Sequence, residues 1–93
     1  MPHFVLTCID KPDALETRMA AREAHLAYVR GNPQVKLGGP FLDAADAMAG
    51  SMLIIEADDL AAARAFSAAD PYAVAGLFQS VDIRPFKVTL GSL

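Results

Sequence analysis

Two segments of this chain carry residues that could do chemistry together. Arg22-Glu23-Ala24-His25 lies in the first third and Asp70-Pro71-Tyr72 in the last third. The chain has two histidines, and His25 falls on the apolar flank of a predicted helix. Asp70, from a different element, is a carboxylate that could orient it. A histidine with a carboxylate is the smallest constellation able to move protons near neutral pH. Each residue also has a purely architectural reading. A helix histidine can donate to a backbone carbonyl. Arg22 can close an internal salt bridge. Asp before Pro at a helix start is an ordinary N-cap, although capping occupies one carboxylate oxygen and leaves the other free for an imidazole. Tyr72 is either core or a pocket wall with a hydroxyl handle.

Other residues could complete such a site. Arg18 and Arg22 precede His25 by two turns and by one, along the edge of the apolar stripe, where an arginine needs an anion from the protein or from a ligand. Gly38-Gly39-Pro40 could bring the backbone N–H donors near Gly39 to an anionic group. It does not match a phosphate-binding loop. Ser51 is a candidate donor or simply a strand start. The Gly-x-Ser-x-Gly turn of serine hydrolases is absent. His3 and His25 lack metal-ligand spacing, so neither a catalytic metal nor another cofactor is expected.

The elements that must position these residues follow from patterning. His3 to Ile9 reads as a strand, with Phe4, Leu6 and Cys8 on one face and Val5 and Ile9 on the other. A strand apolar on both faces requires cover on both. After the turn Asp10-Lys11-Pro12-Asp13, Asp13 and Glu16 resemble a capping box. The spacing predicts a helix to about Arg30 with Leu15, Met19, Leu26 and Val29 inward, closed by Gly31. Val35 to Phe41 is a second strand that should end or bulge at Pro40. Leu42 to Ala49 reads as a loop and Ser51 to Ala57 as a strongly apolar strand. Asp58 or Asp59 caps a helix from Leu60 to about Ala68, with Leu60, Ala63 and Phe66 inward. Asp70 and Pro71 open a short helix to Ala75, stopped by Gly76, and Leu77 to Val88 is the last strand. The order βαββαβ, with an extra short helix before the final strand, is a ferredoxin-like α+β pattern.

Ninety-three residues suffice for a single domain, 1–93. Hydrophobic residues make up 54% of the chain, more than one small core requires. A second copy stacked on the free sheet face would cover the surplus, so a homodimer is expected. With a net charge of −3 and scattered basic residues, there is no electrostatic footprint for nucleic acid. No apolar run approaches bilayer length and no secretory leader pattern is seen, so a cytoplasmic protein without membrane contacts is expected. Cys8, the one cysteine, reads as a core residue.

Arg22-x-x-His25-Leu26, Gly38-Gly39-Pro40-Phe41, Gly50-Ser51, Asp70-Pro71-Tyr72 with Ala75-Gly76, and Ile83-Arg84-Pro85-Phe86 together cover nearly the whole chain. In this order they resemble the YCII-related (YciI-like) family. The resemblance implies a dimeric α+β barrel and an active site on a His–Asp pair, carried over onto His25 and Asp70. Ser51 and the Gly38-Gly39 strand would line the pocket, with Arg22 close by. One branch of that family resembles dehydrochlorinases acting on chlorinated hydroxyquinols, and nothing in the Leu42–Ala49 loop matches that branch. The expected function is cofactor-independent acid/base chemistry, elimination or isomerisation, on a small polar or aromatic compound. The alternative is a non-catalytic module that binds a small ligand or serves as an accessory dimerising partner.

Overall fold

A computed structural model describes all residues from Met1 to Leu93. In chain order the elements are β1 (His3–Asp10), α1 (Leu15–Arg30), β2 (Val35–Leu42), β3 (Met48–Glu56), α2 (Leu60–Ala69), α3 (Pro71–Val74) and β4 (Phe78–Phe86). The strands form one antiparallel sheet in the order β2-β3-β1-β4. This is the ferredoxin-like α+β arrangement expected from the element order.

Alternation along the central strands decides which face is covered. Phe4, Leu6 and Cys8 of β1 and Leu53 and Ile55 of β3 point toward the helices and pack with Ala57, and with Ala63 and Phe66 of α2. Complete burial of a side chain such as Leu6 contributes about 1.5–3 kcal/mol. Tyr28 ties the two long helices together, with its ring against Phe66 at 4.9 Å and its hydroxyl donating to the Phe66 carbonyl at 2.8 Å. On the opposite face Val5, Met52 and Ile54 lie at the centre, flanked by the exposed side chains of Ile9, Leu37, Phe41 and Phe86. No helix covers that face. No helix is long and apolar enough to cross a membrane.

Several local features differ from the patterning. Asp13 does not cap α1. It adopts φ 55°, whereas an N-cap needs extended backbone, and the cap position falls to Ala14 with no side-chain acceptor. The buried line of α1 is rotated from the expected apolar stripe. Leu15 and Met19 are exposed, while Arg18 and His25 are buried. Those two residues are seven apart, on one side of the helix, and each has a buried carboxylate partner that draws that side inward. β2 does not stop at Pro40. It runs through to Leu42 as an edge strand, where a missing N–H breaks no ladder bond, and its register shifts fall at Val35/Leu37 and Phe41/Leu42 instead. β3 begins at Met48, inside the expected loop, and β4 ends at Phe86. Asp59 rather than Asp58 caps α2, accepting from the Ala62 N–H at 2.8 Å.

Cys8 is buried in the core as expected. Burial, with Asp70 and Asp10 nearby, pushes its thiol up from 9.0 to about 12 despite Arg18. Native protein at pH 8 should therefore resist iodoacetamide until it is unfolded, which mass spectrometry of the labelled chain would show. The same shift has a consequence for stability. Above about pH 9 the unfolded thiol ionises while the folded one stays protonated, so stability present below pH 9 should fall as pH rises toward 12.

Candidate functional site

α1 stands away from β2, and the gap between them is a cleft of about 320 Å³ floored by β3. Its size is at the lower end of the range for small-molecule sites. Gly38 of β2 lies against Leu53 of that floor. A Cβ at that position would run into Leu53 Cδ2, whereas one at Gly39 would meet nothing. Both glycines border the cleft, and the close backbone approach is at Gly50, whose Cβ would run into the Cys8 carbonyl oxygen.

His25 and Asp70 meet inside this site. His25 Nδ1 lies 2.9 and 3.0 Å from the two Asp70 carboxylate oxygens, and both residues are buried. The architecture of α3 explains how Asp70 arrives there. It sits in extended backbone between α2 and α3, and its Oδ1 also accepts the Tyr72 N–H at 2.8 Å. Cap and histidine partner are therefore the same carboxylate. A carboxylate only accepts, so Nδ1 carries the hydrogen. His25 Nε2 has no protein partner. No buried side-chain nitrogen or oxygen lacks one, so Nε2 opens onto the cleft that His25 lines.

Tyr72 fixes the imidazole plane. The two rings stack at 3.9 Å and 14°, and Phe78 meets Tyr72 edge-on at 6.1 Å. Burial raises the Tyr72 hydroxyl above its ordinary pKa, against the pull of Arg18 and Arg22, so it stays protonated at neutral pH.

A second polar cluster adjoins the first and involves Asp10, which the sequence pattern places in a turn. Arg18 donates to both oxygens of Asp10, at 2.8 and 3.0 Å, and to Ser51 Oγ at 2.9 Å. Its guanidinium lies 4.6 Å from the Tyr72 ring centre. Burial opposes the Arg18 charge, but the Asp10 hydrogen bonds and charge outweigh it and raise the pKa. Ser51 is buried, lines the cleft, and its oxygen accepts from Arg18. Arg22 also lines the cleft, is exposed, and makes no salt bridge.

Four of the eight basic residues border this one cleft (Arg18, Arg22, Arg30 and Lys36), and none of the eleven carboxylates does. Arg18 is paired with Asp10 and Lys36 with Glu56, which leaves Arg22 and Arg30 as the cleft cations without a carboxylate partner. No cluster of side chains suited to a metal is present.

The fold is of the ferredoxin-like α+β class, with a His–carboxylate pair at the wall of a cleft under its first helix. The chain belongs to the YCII-related family, which matches residues 2–87. Protein YciI of Escherichia coli is 38% identical, with 90% of this chain and 95% of that one aligned. Among solved structures, the 5-chloro-2-hydroxyhydroquinone dehydrochlorinase TftG of Burkholderia phenoliruptrix, in complex with 2,5-dihydroxybenzoquinone, superposes with a TM-score of 0.86. It is 33% identical, over 91% of this chain and 93% of that one. Rv0793 of Mycobacterium tuberculosis, 14% identical with TM-score 0.58 and all of both chains covered, shares the fold alone.

Proposed function

We propose that the cleft is the active site of a cofactor-independent enzyme that moves protons on a compact phenolic or enolic compound. The observation that carries this reading is the state of His25. One ring nitrogen is held by Asp70 and the other is open to a cleft walled by cations. The likeness to a dehydrochlorinase bound to a dihydroxyquinone supports the ligand class. In this reading His25 is the base and acid, and Asp70 holds its tautomer. Arg22 and the Ser51 hydroxyl stabilise the developing oxyanion. Tyr72 forms the wall beside the imidazole, and the backbone at Gly39 borders the ligand.

Loss of HCl from a chlorinated hydroquinol balances on these groups alone. His25 takes one hydroxyl proton and delivers it to the chlorine-bearing carbon as the ring becomes a ketone. It then takes the second hydroxyl proton while the C–Cl pair leaves with chloride, so no oxidant enters.

The test is chloride release from 5-chloro-2-hydroxyhydroquinone, together with binding of 2,5-dihydroxybenzoquinone. His25→Asn should lower turnover by roughly 10²–10⁴-fold. Wild-type protein that binds the quinone but releases no chloride would make the cleft a binding site. Protein that does neither would overturn the reading.

We also propose that two copies pack through the open sheet face, since Ile9, Leu37, Phe41 and Phe86 expose apolar surface there. Light scattering at micromolar concentration should give twice the chain mass, and Ile9→Asp should give the monomer.

A further inference from the structure

We infer that the ligand carries a second anionic group, a carboxylate, bound at Arg30 at the far end of the cleft from His25; this rests on the active-site reading above. The cleft wall formed by α1 has three parts in sequence. Arg18, Arg22 and His25 come first, Leu26 and Val29 follow, and Arg30 closes the row. The rise of the helix puts Arg30 about 7–8 Å beyond His25. Across the apolar middle lies Leu53, over Gly38. That spacing is the length of a single ring whose reacting oxygen meets His25 and Arg22 and whose carboxylate meets Arg30.

Arg30 has no counter-ion in the protein. It forms no salt bridge, and the residues three and four away from it along the chain are Leu26, Ala27, Pro33 and Gln34. Lys36, the other cation at this end, is already held by Glu56 at 3.0 Å. The acidic residues of the helix itself, Glu16 and Glu23, do not line the cleft. The helix C-terminus favours a cation at position 30, which explains its charge. It does not explain why every cleft-facing residue of α1 is basic or apolar. A carboxylate matches the guanidinium fork and is small enough for a cleft of about 320 Å³.

The experiment compares two probes that differ only in this charge, 2,5-dihydroxybenzoate and 2,5-dihydroxybenzamide, by calorimetry at low salt. Wild-type protein should bind the acid about tenfold tighter than the amide. Arg30→Gln should bring the two within about twofold, and Arg30→Lys should restore part of the preference. Equal affinity for acid and amide in wild type, or a preference that survives Arg30→Gln, would overturn the inference. If 2,5-dihydroxybenzoquinone still bound in a His25-dependent way, the active-site reading would stand without it. If His25→Asn changed the binding of none of the three probes, both would fall.

Discussion

Replacing Asp10 by Ala should cost this protein about 3–5 kcal/mol of folding stability, because it leaves the Arg18 guanidinium buried and unpaired. Arg18 and Asp10 have side-chain exposures of 3% and 5%, so water cannot take over for the missing partner. The loss is a large part of the 5–15 kcal/mol that a domain of this size commonly has. It should appear as a fall in melting temperature of roughly 15 °C or more. The pair is strong only in the sense that either half is intolerable alone. Removing both charges with well-packed apolar residues, as in Asp10→Leu with Arg18→Met, should recover more than half of the single-variant loss. Urea melts of the two single variants and the double variant measure this directly. A double variant as unstable as the sum of the singles would show that Ser51 and Tyr72, the other contacts of Arg18, matter more than the ion pair.

That pair also marks the limit of what the sequence could show. The strand reading stopped at Ile9 because Asp10 begins a run of turn-forming residues. Yet Asp10 continues the inward alternation of Phe4, Leu6 and Cys8, and it is buried with them. A carboxylate on the inward face of a strand demands a cation. Arg18 was the candidate on the right side of α1, seven residues before His25. Those two periodicities together would have found the cluster. Asp-Pro marks Asp70 as a helix cap, and its pairing with His25 is what the resemblance to the YCII-related family implies rather than what the cap alone dictates. The rotation of α1 was not legible, because hydropathy places Leu15 and Met19 inside and cannot weigh two long-range pairs against them. Pro40 misled for a related reason. Its effect depends on whether the strand is central or at an edge, and that is a property of sheet order, not of local sequence.

If His25 is the base proposed for it, Asp70→Asn should sharply slow proton transfer while leaving the fold intact, and the reason lies in the double duty of this carboxylate. Oδ1 accepts both the Tyr72 N–H and the His25 Nδ1 hydrogen, with Oδ2 also 3.0 Å from Nδ1. An asparagine has one acceptor oxygen and one donor nitrogen. If its oxygen keeps the cap on α3, its NH₂ takes the Oδ2 place 3.0 Å from Nδ1, where two donors would face each other unless Nδ1 gives up its hydrogen. The hydrogen moves to Nε2, and the nitrogen facing the cleft becomes a donor where a base is required. Turnover should fall by roughly 10²–10⁴-fold, comparable to losing the histidine. Stability should change little, since the cap survives. Asp70→Ala, in contrast, should cost about 1 kcal/mol by removing the cap. The separating measurement is the ¹⁵N spectrum of the His25 ring. Wild type should show the hydrogen on Nδ1, and Asp70→Asn should show it on Nε2. A variant with an unchanged tautomer but lost activity would point to charge rather than proton position as the role of Asp70. A variant with a reversed tautomer and full activity would remove His25 Nε2 from the mechanism.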